Sequence, residues 1–187
     1  MSDELHDFGM VTLIGAESLG LPGSRRFRLY AEGRRETASL WLEKQQIEEL
    51  SLALDQLLAQ ATGGEVMRTE AVAEPLQPES APDDFPTHAD VEFQVAGMQI
   101  GYDESRDVLL LRASPIEIVE HDGEVFARAD AEPQFSALFT RRQGIRLSRQ
   151  LFAIITAGRP RCLFCGQPIQ EPHICEKQNG YHPAHLN

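Results

Sequence analysis

An α+β fold of two similar βββα halves with a mainly antiparallel sheet, followed by a small C-terminal appendage, is what this sequence predicts. Three observations carry the prediction. Two amphipathic helical stripes occur, each after a set of short apolar runs with strand character. A Pro- and acid-rich stretch separates them, and a Cys/His cluster follows the second.

Within residues 1–62, MVTLIG and RFRLYAEG read as strands on either side of the turn-forming LPGS, and TASLWLE reads as a third. Lys44 to Gln60 reads as a helix, because Ile47, Leu50, Leu54, Leu57 and Leu58 recur at spacings of three and four with Glu48, Glu49 and Asp55 off the stripe. Thr62, Gly63 and Gly64 stop it. Residues 63–89 contain EAVAEPLQPESAPDDFPTH, which has no apolar periodicity. Such a composition buries too little surface to offset its ordering entropy, so the segment reads as a flexible acidic linker.

Residues 90–158 repeat the order. VEFQVAGMQIGYD and DVLLLRAS flank a turn at DESRD, FSALFTR is a strand, and Gln143 to Ala157 is a helix with Leu147, Leu151, Ile154 and Ile155 as its stripe. Gly158 and Pro160 end that helix. Between them IEIV and VFARA read as an additional hairpin closed at His121, Asp122 and Gly123, where His121 reads as an exposed turn residue. The third strand and helix of the halves align at an offset of 97 or 98 residues; the larger offset sets Leu40, Trp41, Gln45 and Ile47 opposite Leu138, Phe139, Gln143 and Ile145. That pattern predicts an internal duplication, in which each half covers the other's apolar face and a ligand would lie in the cleft between them.

The 187 residues suit one core plus an appendage. No run of about 18 apolar residues is present, and MSDELHDFGM carries acids where a secretory signal carries basic residues, so no membrane span and a cytoplasmic location are expected. A net charge of −12 argues against a whole-chain polyanion binder, but it is unevenly placed. Residues 1–140 carry −17 and residues 141–187 carry +5. The basic end either answers the acidic body or docks an anionic partner.

The chemistry lies in residues 159–187. All three cysteines fall between Cys162 and Cys175, which suits metal ligation in a reducing compartment better than a disulfide framework. Cys162 and Cys165 are two residues apart with Gly166 following, so the backbone can fold tightly around a metal. His173 and Cys175 form the second pair, and Pro168 and Pro172 stiffen the loop. Three thiols and an imidazole select zinc over calcium or magnesium, and four protein ligands leave no open position, so the zinc is expected to be structural. An iron–sulfur cluster, redox chemistry at a bare Cys162/Cys165 pair, and replacement of His173 by His182 or His185 are the alternatives.

These residues carry a resemblance. The CxxCG-x-P-I start, the H-x-C pair, the following NGY, the LEKQQ element at Leu42–Gln46 and the AGRP lead at Ala157–Pro160 resemble the bacterial family catalogued as domain of unknown function 3090, over nearly the whole chain. Where that family shows a Pro-Arg after the last Cys and a basic pair after NGY, this chain has Glu176, Lys177 and His182, Pro183. The four metal ligands are retained. The resemblance implies no activity.

No G-x-S-x-G setting and no Gly-rich phosphate loop with Lys is present, and the Asp83, Asp84 pair falls in the linker. Glu43, Lys44, Gln45 and Gln46 form either a polar anion site or an ordinary solvated helix start. Trp41 reads as a core or interface anchor. The expectation is a non-catalytic zinc-binding scaffold or adaptor with a protein partner. Nucleic acid at the basic C-terminal region is a less favoured alternative, and a small-molecule enzyme using the cleft is a third.

Overall fold

The computed structural model describes residues 5–21, 23–62, 80–121, 124–128 and 132–157. Period-two alternation produces strands β1 (His6–Met10), β2 (Leu13–Leu19), β3 (Arg26–Glu32) and β4 (Thr37–Leu42), after which helix α1 spans Lys44–Ala61. Strands β5 (Val91–Asp103), β6 (Val108–Pro115), β7 (Glu117–His121), β8 (Glu124–Arg128) and β9 (Phe135–Thr140) follow, and helix α2 spans Arg141–Thr156. The fold is α+β, with seven strands in one mixed sheet ordered β1-β9-β6-β5-β4-β3-β2 and with β7 and β8 as a separate hairpin.

Strands β2, β3 and β4 are antiparallel, as are β5, β6 and β9. The two sets join through parallel pairs, β4 with β5 and β9 with β1. The end strands of this order, β1 and β2, are separated in the chain only by Val11 and Thr12. The Val11 amide donates to Leu138 O at 2.9 Å and the Thr12 amide to Glu32 O at 2.8 Å, so neighbouring residues serve opposite ends of the sheet. The sheet therefore curls until its ends meet. Strand β5 makes the same change of partner within one strand, pairing with β4 through Val91–Gln94 and with β6 from Val95 onward.

A glutamine in the first turn of each helix holds the helix to such a corner. Gln46 Oε1 accepts from the Glu43 amide at 2.8 Å, and its Nε2 donates to Val95 O at 3.0 Å. Gln143 Oε1 accepts from the Thr140 amide at 2.9 Å, and its Nε2 donates to Val11 O at 3.1 Å and Thr12 O at 3.2 Å. Both glutamines occupy the third position of their helix, at an offset of 97 residues.

One hydrophobic cluster runs through both halves. Helix α1 contributes Ile47, Leu50, Leu54 and Leu58, and α2 contributes Leu147, Leu151 and Ile154, against Leu29, Leu40, Leu109, Leu111, Phe135 and Phe139. Each large side chain so buried contributes about 1.5–3 kcal/mol. The helices pack on each other, α1 on β5 and α2 on β2, so each reaches the opposite half. The halves are thus joined by direct strand pairing and a shared core. Among the described residues no helix is long and apolar enough to cross a membrane.

Four local features differ from the sequence reading. Strand β1 was not anticipated, and the next strand runs from Leu13 to Leu19 rather than from Met10. Helix α2 starts at Arg141, because Thr140 Oγ1 accepts the Gln143 amide at 3.2 Å and caps it. Residues 80–89, assigned by composition to the linker, carry defined contacts described below. Residues 63–79 lie outside the described residues.

Candidate functional site

The predicted metal ligands Cys162, Cys165, His173 and Cys175, with His182 and His185, lie outside the described residues. Among the described residues no group of three or more His, Cys, Asp or Glu side chains could hold a metal. The body fixes the point at which the chain leaves α2. Arg25 Nη1 donates to Ala157 O at 2.8 Å, so α2 ends beside the turn between β2 and β3.

Next to that turn, the sheet face turned away from the helices carries a buried polar cluster. Period two places Arg26, Arg28 and Tyr30 of β3 on this face, opposite Leu29 and Ala31, and places Gly15 and Glu17 of β2 beside them. Glu17 and Arg28 pair directly across the strands, with side chains 5% and 12% exposed and Arg28 Nε 2.7 Å from Glu17 Oε1. A pair this far from water is stable only with its remaining valences met. Ala81 meets one, its amide donating to Glu17 Oε2 at 2.8 Å.

Phe85 completes the cover, its ring 5.4 Å from that of Tyr30 and 5.3 Å from the Arg28 guanidinium. The turn that presents it is closed by the Phe85 amide on Pro82 O at 2.9 Å. Asp83 and Asp84 point away as exposed turn residues. Ser39, paired with Tyr30, is also buried, and its Oγ has no hydrogen-bond partner among the described residues. Trp41 lies on the same face rather than in the core. Its indole N–H donates to Glu92 Oε1 at 2.8 Å, and Arg26 stacks 3.9 Å from the ring centroid.

The Glu43–Gln46 element does not form an anion site. The Gln46 side chain is committed to the Glu43 amide and to Val95 O, and the Glu43 carboxylate stands where an anion would sit. Lys44 and Gln45 are exposed and reach Glu48 and Glu49 on the next turn. His121 ends β7 at the tip of the hairpin.

A second cluster ties three elements together at the opposite end. Tyr102 Oη donates to Asp107 Oδ1 at 2.7 Å, and Arg141 Nη2 donates to Asp107 Oδ2 at 2.7 Å. Arg141 Nη1 also reaches Ala61 O, the C-terminus of α1, at 3.3 Å. The Tyr102 hydrogen bond and then the Arg141 one hold the Asp107 carboxyl below its ordinary range, and the same Asp107 raises the Tyr102 phenol. Asp107 adopts φ +52°, a left-handed conformation that Asp tolerates better than most residues.

The Glu17–Arg28 pair, the Phe85 cover and the Asp107 hub were not anticipated from sequence. The only signal for the first was that Arg26, Arg28 and Tyr30 alternate with Phe27, Leu29 and Ala31 in one strand. No curated protein and no solved structure matches the chain. The model of the family described as a protein of unknown function (DUF3090) matches residues 6–175, from the first residue of β1 through Cys175, and the chain belongs to that family.

Proposed function

We propose that the protein is a non-catalytic zinc-binding scaffold or adaptor of the cytoplasm, in which a rigid α+β body carries a zinc-ribbon-like C-terminal segment that contacts a protein partner. The donor set carries this reading. Cys162, Cys165, His173 and Cys175 supply three thiolates and an imidazole in C-x-x-C and H-x-C spacing, enough to fill a tetrahedral shell. The family match extends over all four. When bound, zinc supplies folding free energy to a segment too short to build its own core.

Three polar groupings of the body support a scaffold, because they join elements of the fold. Gln46 and Gln143 pin the helices to strand corners, Glu17 and Arg28 hold Ala81 and Phe85, and Asp107 links Tyr102 to Arg141. We also read β2–β3–β4–α1 and β5–β6–β9–α2 as two copies of one unit, for which the matching glutamines and corners are the support.

The test is capture of binding partners by the intact protein, with Cys162→Ser as control. A partner held by the native protein and lost by a variant whose body stays folded supports the reading. Binding that survives Cys162→Ser removes the zinc segment from the contact. A binding constant falling steeply with salt points instead to a nucleic-acid contact at the basic end.

A further inference from the structure

The sheet face turned away from the helices is built differently in the two halves. On β2–β3–β4 it is polar, and Ala81 and Phe85 cover it. On β5–β6–β9 the corresponding row is Gly101, Leu110 and Leu138, in register across the three strands, and Met10 of β1 extends it beside Leu138. Leu109 and Phe139 are fully buried, and a methyl group on Gly144 of α2 would meet both; Leu110 and Leu138, their neighbours in sequence, therefore face away from the helices. Leu110 and Leu138 are half-buried, and Met10 is 42% exposed. This row of four carries no polar side chain and forms an apolar strip, flanked on the same face by Gln99, Arg112 and Ser136 on one side and by Asp103 and Thr140 on the other.

We propose that the C-terminal segment, residues 158–187, lies across Met10, Leu138 and Leu110, as Ala81 and Phe85 lie across the first half. Connectivity, length and chemistry commit the surface to that occupant. The cover of the first half belongs to the stretch following α1, and residues 158–187 follow α2 in the same place. The two exits are equivalent: α1 ends beside the β5–β6 turn, where Arg141 joins Ala61 O to Asp107, and α2 ends beside the β2–β3 turn, where Arg25 holds Ala157 O. Residues 62–80 suffice to bring Ala81 from the end of α1 to Glu17, and residues 158–187 form a longer stretch.

The chemistry of the segment also fits an apolar row. Leu163, Phe164, Ile169 and Ile174 are interleaved with the candidate ligands, and a unit of 30 residues is too small to build a stable core from them without a metal or a surface to pack on. Packing on the row is independent of metal, although zinc would order the same segment.

The test uses the full-length chain with the photoreactive residue p-benzoylphenylalanine placed at Met10 and, separately, at Leu138. A matched control places it at Leu52, which is 60% exposed on α1. Irradiation of dilute protein followed by peptide mass spectrometry should yield links within one chain from position 10 or 138 to residues 158–187, and none from position 52. Links only to a second chain, or none to residues 158–187, overturn the proposal.

A second readout guards against a disturbed photoreactive site. Leu138→Glu should leave the far-UV circular dichroism unchanged while accelerating tryptic cleavage after Arg161 at least about tenfold, the factor expected for losing the burial of one leucine. An unchanged cleavage rate contradicts it. A link that forms in metal-free protein keeps this packing while removing the zinc reading, and a zinc-loaded protein without the link does the reverse.

Discussion

Gly15→Ala isolates the packing of the covered face. The Tyr30 ring, 1% exposed, lies directly over Gly15, and a methyl group there would fall 2.8 Å from Cε2 and closer still to Cζ and the hydroxyl. Tyr30 has little room to retreat, since Phe85 stacks 5.4 Å away. The backbone at Gly15 does not need glycine, so alanine by itself would gain about 0.5–1 kcal/mol in a strand. Against this stand about 1–3 kcal/mol for overpacking and about 0.5–1.5 kcal/mol for a disturbed ring pair. The net expectation is a loss of about 2 kcal/mol, or a Tm lowered by about 4–8 °C in a chain of this size. Urea denaturation should be run on Gly15→Ala, Tyr30→Leu and the double variant. With Tyr30 shortened, Gly15→Ala should cost nothing or stabilise, giving a coupling of about 2 kcal/mol. A neutral Gly15→Ala, or an equal cost in both backgrounds, would refute the reasoning.

Glu17→Ala should cost about 3–5 kcal/mol in the same assay, because Arg28 is left charged and buried, and Glu17→Ala with Arg28→Met should recover most of it. A small effect of the single variant would mean that water already reaches the pair. Gln143→Ala and Gln46→Ala should each cost about 1–2 kcal/mol by freeing a corner carbonyl and a helix N-terminal amide; unequal losses would break their equivalence. Asp107 sets part of the acid limb. Its folded pKa is depressed, so its stabilisation is complete above the ordinary value near 3.8 and is lost as pH falls through the lower folded value. An NMR titration of its carboxyl should show a midpoint below 3.8, and Asp107→Asn should flatten stability over that acid range; a midpoint at or above 3.8 contradicts the hub.

The helices were legible because Ile47, Leu50 and Leu54, and Leu147, Leu151 and Ile154, repeat at helical spacing, and all six are buried. The antiparallel set β2–β3–β4 and the pair β5–β6 were legible because short turns join their strands. The parallel joins were not, because nothing local tells β1 to pair with β9 across most of the chain. HDFGM also hides its strand behind an exposed Asp7 and a left-handed Gly9, φ +55°. Composition misled at residues 80–89, where one aromatic, Phe85, outweighs a polar, proline-rich setting once Tyr30 and Arg28 form its socket. The Glu17–Arg28 pair needs strand register before its burial can be seen, and spacing alone does not supply it. The candidate ligands Cys162, Cys165, His173 and Cys175 are inferred from spacing without any fold, since a tetrahedral shell depends on donor type and short-range reach.

The central claim is that this body carries a zinc-binding segment, and metal content measures it directly. Freshly purified, reduced protein should contain one zinc per chain by elemental analysis, and Cys162→Ser and Cys175→Ser should each abolish it while the helical and β signal of the body persists. Native protein free of zinc would contradict the account.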